Sequence, residues 1–197
     1  MKWNYYEMYK QNLKKIINIY GYKYHWLDIS NDKFYNNTQN SFNDFVFNGY
    51  KFSLQYQDEK IKLGQDILQN GTYTPMFFIT EDNKKKISLG KHRLYSLLLC
   101  NKQSKIEKPF LFIEYPINPN KEWECENTLL EAEDTLYFFD KDLKPYKMKP
   151  KTIADINKVL LFTGDALSSW FFDNKIIPDK IFNDKQAFEV FLKEDYE

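Results

Sequence analysis

In residues 75–103 two strand patterns precede a single glycine and one helix pattern follows it. This order constrains the fold more strongly than any other feature of the sequence. The runs PMFFIT and KKISL are typical of β-strands, and EDNK between them is typical of a turn. Gly90 follows directly, and HRLYSLLLCNK then predicts a helix. Since a strand pattern returns in KPFLFIEY, we expect this helix to pack against a sheet formed by its neighbours.

The segments before this unit extend the same alternation. Apolar residues at helical spacing predict a helix over residues 5–20, which Gly21 ends, and YKYHWLDI predicts a strand. A second helix is predicted in YQDEKIKLGQDILQNG and ends at Gly71. We interpret residues 30–51 as a long loop or insertion. Its aromatic residues either form a base-stacking or partner-binding surface or pack as a small core on the N-terminal helix: Phe34, Tyr35, Phe42, Phe45, Phe47 and Tyr50.

The C-terminal part of the chain predicts helices and one boundary. NKEWECENTLLEAEDTLYFF predicts a helix, and KDLKPYKMKPKT is a basic connector that contains prolines. Residues 151–175 and NDKQAFEVFLKED predict further helices, the last of which Asp184 can cap. The predicted fold class is therefore α+β. A mixed sheet with flanking helices occupies residues 1–140, with an insertion at about 32–55, and a helical appendage occupies residues 141–197.

Composition limits the classes of protein to which this chain can belong. Its 197 residues suit one domain, and an apolar share of 43% allows a buried core. The formal net charge is zero, which argues against broad electrostatic binding to nucleic acid or to an anionic membrane. No apolar run approaches the roughly 20 residues that span a bilayer, and we find no signal peptide. Cys100 and Cys125 are expected to be reduced thiols of a soluble, cytoplasmic protein.

The turn at Gly90 has the local physics of an anion-binding site. Glycine permits a tight bend, and the first N–H groups of the following helix point outward at the positive end of its dipole. Lys91, His92 and Arg93 add cationic or donor groups at the same place. Arg93 is the only arginine among 28 basic residues, and its planar fork can bind two phosphate oxygens at once. These residues therefore predict a phosphate site.

Structural roles are the alternative for the same residues. Arg93 can instead pair across the hairpin with one of the carboxylates of Glu81, Asp82 or Glu114, while His92 packs on the sheet. No cluster of His, Cys, Asp and Glu has the spacing of a zinc site. The local pattern alone leaves both interpretations of the Gly90 turn open.

Further candidate residues precede the hairpin. Glu59 lies near the start of the second helix, where it can act as a general base or, with Asp58, as a ligand of Mg²⁺. The alternative is a solvated carboxylate favoured by the helix dipole. Thr72 and Thr74 can donate hydrogen bonds to a ligand, or they can be ordinary turn residues.

Residues 63–99 resemble the core of the ParB/sulfiredoxin superfamily. The pattern of that family is a helix ending in Asn-Gly, a proline that opens a strand, a short hairpin, and GxxR at the start of the next helix. Here the corresponding residues are Asn70-Gly71, Pro75, and Gly90 to Arg93. With YHWLDI and PFLFIEY as the flanking strands, the resemblance covers about residues 24–115. It implies a nucleotide-binding α+β fold in which Gly90 makes the turn and Arg93 holds phosphate.

Three positions depart from the branches of this superfamily. Lys91 stands where sulfiredoxins have a cysteine, which argues against sulfiredoxin chemistry. Leu89 stands where the free-serine kinases often have an acidic residue. Glu126 and Asn127 begin ENTLL, but no arginine completes the ENxxR motif of the partition proteins, and we interpret this pair as coincidence.

The residues and the resemblance together predict a protein that binds a nucleoside phosphate (ATP, ADP or CTP) with Mg²⁺ and carries out phosphoryl transfer or nucleotide hydrolysis. The catalytic residues would be Glu59, His92 and Arg93. The ligand-binding residues would be Gly90, Lys91, His92, Arg93, Thr72 and Thr74. The alternative is a non-catalytic module of a plasmid, phage or other mobile element that binds DNA or a protein partner. A ParB-like nuclease is a third possibility.

Overall fold

The computed structural model describes residues 2–35, 54–116, 135–139, 142, 144–150, 152, 154–156 and 167–194. The helices within them are α1 (Lys2–Asn18), α2 (Leu54–Asn70), α3 (Lys91–Gln103) and α4 (Lys185–Lys193), with a 3-10 helix at Lys180–Phe182. Helical residues also occur at 154–156 and at 167–173, and we call the latter segment the tail helix. The strands are β1 (Lys23–Leu27), β2 (Phe34–Tyr35), β3 (Met76–Glu81), β4 (Lys84–Leu89), β5 (Phe110–Glu114), β6 (Leu136–Phe139) and β7 (Pro145–Met148).

Five of the strands form one mixed sheet in the order β1-β5-β3-β4-β2. β1 is antiparallel to β5, and β3 is antiparallel to β4, whereas β5 is parallel to β3 and β2 is parallel to β4. The β3–β4 connection turns at Asp82 and Asn83, whose φ angles are 51° and 59°. Asp and Asn tolerate this left-handed conformation, which suits a two-residue hairpin turn.

Helices cover both faces of the sheet. Successive strand residues belong alternately to two cores, one on each face. On β5, Leu111 and Ile113 belong to a core that contains residues of α1, the tail helix and α4. Phe110 and Phe112 belong to the opposite core, which α2 and α3 complete. This alternation is what a strand buried on both faces requires, since successive side chains point to opposite sides.

The structure confirms most of the predicted elements in its described residues. The first helix ends shortly before Gly21, whose φ is 75°, and α2 ends directly before Gly71, whose φ is 94°. The hairpin, α3 and β5 lie where the sequence predicts them. At α4 the Asp184 carboxylate accepts a hydrogen bond of 2.8 Å from the Ala187 N–H and caps the helix as predicted.

The prediction of a helix through residue 139 is wrong at its C-terminal end. Residues 136–139 form strand β6, which pairs antiparallel with β7, and β7 lies inside the predicted connector. Leu136 and Phe138 are buried while Tyr137 between them is half-buried, so the pattern has the period of a strand. The aromatic run LYFF favours this conformation. The rest of the predicted helix before residue 135, including Cys125, Glu126 and Asn127, lies outside the described residues.

The first aromatic residue of the predicted insertion packs on the side of the sheet opposite to α1. Phe34 is buried and its ring stacks on Phe112, with ring centroids 4.7 Å apart. It therefore joins the core of α2 and α3, and the prediction of a small core on the N-terminal helix is wrong for this residue. Phe42, Phe45, Phe47 and Tyr50 lie outside the described residues.

The C-terminal part contributes large buried side chains to the core of α1. Phe171, Phe182 and Phe188 are each at most 1% exposed, and the Phe171 ring lies 4.8 Å from that of Tyr6 between centroids. β7 pairs with β6 across the predicted domain boundary after residue 140, and this boundary stays a prediction.

Cys100 is a buried free thiol. Within the described part of the chain, every helix is too short or too polar to cross a bilayer.

Candidate functional site

A cavity of about 640 Å³ lies in front of the Gly90 turn. Its walls come from one face of α2, from residues 71–73, from the turn itself with the start of α3, and from the tail helix. The volume lies within the range of small-molecule and cofactor sites. Of the predicted site residues, the structure brings six to this cavity: Glu59, Thr72, Gly90, Lys91, His92 and Arg93.

The start of α3 is built around the backbone conformation of Gly90. Its φ of 86° and ψ of 22° are left-handed, and no side chain caps the helix at this residue. The first intrahelical bond runs from the Leu94 N–H to the Gly90 carbonyl at 2.9 Å. The N–H groups of residues 91–93 therefore point toward the N-terminal end of the helix, which carries the positive end of its dipole.

The turn at residue 90 leaves little room for a side chain, and its positive φ favours glycine. A Cβ atom added at residue 90 would lie 2.6 Å from the Cγ atom of Met76, which is buried under the turn, and 3.1 Å from an Nη atom of Arg93. The absence of a side chain thus lets the turn lie directly on Met76 and beside the guanidinium.

The Arg93 side chain is held by main-chain carbonyls at the edge of the cavity. Its Nη1 group donates to the Thr74 carbonyl, and its Nη2 group donates to the Pro75 carbonyl at 3.3 Å. Each bond uses one of the five N–H donors of a guanidinium, and together they fix its orientation. These two carbonyls directly precede β3, so Arg93 joins the start of α3 to the start of that strand.

Two of the three carboxylates that were predicted as alternative partners of Arg93 have other contacts. Glu81 pairs with Lys86, and Glu114 accepts a hydrogen bond of 2.6 Å from Thr80 and lies 2.7 Å from His25. These two carboxylates therefore contact other side chains. His92 is exposed at the first turn of α3, where it lines the cavity.

One face of α2 supplies charged and apolar side chains to the cavity: Glu59, Lys60, Leu63, Asp66 and Ile67. Their spacing is that of a single helical face. Burial lowers the pKa of the Lys60 ammonium, and the nearby Glu59 carboxylate opposes that shift. An anionic ligand would relieve the cost of this half-buried cation. The cavity thus combines the basic side chains of Lys60, Lys91 and Arg93 with the carboxylates of Glu59 and Asp66.

The carboxylates at the cavity differ from the predicted pair. Asp58 is exposed and does not line the cavity, whereas Asp66, two turns after Glu59, does. Among the residues that the structure describes, no group of three or more His, Cys, Asp or Glu side chains surrounds a metal position. One or two carboxylates still suit Mg²⁺, because this ion is usually held together with phosphate and water oxygens.

The two predicted threonines have different positions. Thr72 lines the cavity, its N–H donates to the Asn183 Oδ1 atom at 2.7 Å, and its carbonyl accepts from the Asn183 Nδ2 atom at 2.9 Å. Thr74 is only 1% exposed, and its hydroxyl lies 2.9 Å from that of Ser168. Thr74 is therefore buried behind the cavity wall, and its contribution there is the carbonyl that binds Arg93.

Sequence reasoning missed two groups of cavity residues. Lys60 and Asp66 share a helical face with Glu59, and this spacing could have indicated them. Ser168, Ser169 and Phe172 come from the tail helix. Nothing in their own pattern shows that this segment lies beside residues 71–74, which are about a hundred positions earlier.

Comparisons with known proteins add no relative. No family model matches the sequence, and neither the curated proteins nor the solved structures contain a significant match. The function of the cavity is therefore inferred from its own residues.

Proposed function

We propose that this protein binds a nucleoside phosphate in the cavity, with the phosphate at the N-terminal end of α3. The observation that carries this proposal is that the cavity opens onto the start of a helix of 13 residues whose N-cap residue, Gly90, has no side chain to cap it. Helix N-termini attract phosphate through their amide groups and their dipole. Lys91 and Arg93 lie in the first turn of that helix, and Lys60 of α2 lines the same cavity.

The first-turn residues have complementary roles in this proposal. Gly90 keeps the backbone accessible, so that the amides of residues 91–93 can donate to phosphate oxygens. Lys91 and His92 are exposed beside them and add donors. The carbonyl bonds of Arg93 pre-orient its guanidinium, which reduces the entropy lost when it binds phosphate.

We further propose that Mg²⁺ accompanies the phosphate, with Glu59 and Asp66 as the available carboxylates. The ion would neutralise phosphate charge and favour transfer of a phosphoryl group or hydrolysis of the nucleotide. Glu59 and His92 are exposed at the cavity and can accept or donate a proton, so they remain the proposed catalytic pair beside Arg93.

The fold family proposed for this site is the ParB/sulfiredoxin-like one. Its support is the order helix, Pro75, hairpin and Gly90 turn, together with a mixed sheet in which β3 and β5 are parallel neighbours on either side of α3 in the chain. A non-catalytic DNA- or protein-binding module and a nuclease stay alternatives. A small anion fits the charges better than a nucleic acid does, since the net charge is zero and the cations lie at a cavity.

Isothermal titration of the protein with ATP, ADP and CTP, with and without Mg²⁺, tests this proposal. We expect saturable binding of at least one nucleotide with a dissociation constant below about 1 mM, the upper end of common substrate affinities. The absence of binding of all three nucleotides at millimolar concentration would overturn it.

Lys91→Ala should weaken this binding about two- to fivefold, because Lys91 is an exposed cation beside the proposed phosphate. Lys102→Ala is the matched control: it removes the same charge from an exposed position in the last turn of the same helix. Titration of both variants at one salt concentration separates a local contact from a change in net charge. Equal losses in the two variants would contradict phosphate binding at the start of α3.

A further inference from the structure

The tail helix forms a wall of the cavity that differs chemically from the α3 end. It contributes Ser168, Ser169 and Phe172, whereas the α3 end carries the turn and its cations. Phe172 is 43% exposed, although it is a large apolar side chain. Ser168 and Phe172 are four residues apart and therefore lie on the same side of the tail helix. The wall thus presents an aromatic ring with hydroxyl groups beside it.

Contacts with residues 71–74 fix this wall relative to Arg93. The Ser168 and Thr74 hydroxyls lie 2.9 Å apart, and the carbonyl of the same Thr74 accepts from Arg93. A single residue therefore links the tail helix to the guanidinium.

Further contacts join residues 72 and 73 to the tail helix and to the residues that follow it. The Tyr73 hydroxyl donates to the Ile176 carbonyl at 2.7 Å, and the rings of Tyr73 and Phe171 stack with centroids 5.5 Å apart. Asn183 bonds both the N–H and the carbonyl of Thr72. The wall is consequently built into the fold, and a ligand would not need to order it on binding.

We propose that the tail helix is the base-binding wall of the cavity and that Phe172 stacks on the nucleobase of a free mononucleotide. This inference rests on the proposed function, because it assumes that the phosphate lies at the α3 end. A nucleobase has a flat face suited to an aromatic ring and polar edge atoms suited to hydroxyl groups such as those of Ser168 and Ser169. Phosphates without an aromatic group would leave Phe172 uncovered.

Titration with ATP and with inorganic tripolyphosphate separates the two ends of the ligand. We expect the wild-type protein to bind ATP about tenfold more tightly than tripolyphosphate, an effect of the size that stacking on one ring produces. Phe172→Ala should remove this preference and leave the affinity for tripolyphosphate unchanged. Phe172→Tyr, which keeps an aromatic ring, should retain the preference. Ile177→Ala is the control, since Ile177 is an exposed apolar residue of the tail that does not line the cavity.

The outcomes distinguish this inference from the proposed function. If the wild-type protein binds neither tripolyphosphate nor any of ATP, ADP and CTP, the proposed function fails and the base-binding wall fails with it. If the wild type binds both ligands equally, or if Phe172→Ala keeps the preference for ATP, only the base-binding wall is overturned. Tighter binding of a 5′-phosphorylated single-stranded oligonucleotide than of any mononucleotide would overturn the assignment to a free nucleotide.

Discussion

Gly64→Ala should destabilise the protein by about 2 kcal/mol, although alanine is the better helix former, because overpacking a close contact usually costs about 1–3 kcal/mol. A Cβ atom at residue 64 would lie 2.5 Å from the Ser96 carbonyl oxygen and 2.6 Å from the Cys100 Sγ atom. One obstacle is main chain, so α3 itself would have to move away from α2. In an open helix the same change would stabilise by roughly 0.5–1 kcal/mol.

Denaturant unfolding followed by circular dichroism measures this effect. Gln65→Ala is the matched control, since Gln65 is the exposed neighbour in the same helix and its replacement should change stability little. Adding Cys100→Ala to Gly64→Ala removes only the contact with sulfur and should not restore wild-type stability. A Gly64→Ala protein as stable as the wild type would show that α2 and α3 do not approach as closely as described.

Arg93→Ala should weaken nucleotide binding by about thirtyfold or more, which corresponds to about 2 kcal/mol and is typical of a hydrogen bond to a charged group. The same change removes the bonds to the Thr74 and Pro75 carbonyls and should also lower the free energy of unfolding. Arg93→Lys keeps the charge but cannot reach both carbonyls with a planar fork. We therefore expect the lysine variant to lose most of the binding as well.

Calorimetric titration of these variants requires a parallel melting curve, so that loss of binding is not confused with loss of folding. A folded Arg93→Ala protein that binds nucleotide as tightly as the wild type would limit Arg93 to its structural role. Binding by Arg93→Lys that equals the wild type would show that charge alone, and not the geometry of the guanidinium, is required.

Local patterns predicted the elements that surround the cavity because each has a signal within a few residues. The Asp82-Asn83 turn between two strand patterns fixed the hairpin, and Gly90 marked the start of α3. Glycines with positive φ stand after α1 and α2, where the sequence placed the helix ends. The α+β class followed from this alternation of elements.

Contacts between distant parts of the chain had no such signal. Arg93 binds two main-chain carbonyls, and a carbonyl acceptor has no residue type that could reveal it. Asn183 bonds Thr72 across a separation of 111 positions, and their neighbours Phe182 and Tyr73 belong to the same core as α1. The sequence did not predict the hairpin of β6 and β7. The charged residues before residue 136 favoured a helix, and LYFF is too short a run to show the alternation of a strand clearly.

Crystals of the protein with ATP and Mg²⁺ provide the most direct measurement of the central claim, the binding of phosphate at the start of α3. We predict electron density for phosphate within about 3 Å of the amide nitrogens of residues 91–93, the usual length of such hydrogen bonds. Density for the nucleotide with its phosphates elsewhere, or a side chain of the protein filling the space in front of Gly90, would contradict it.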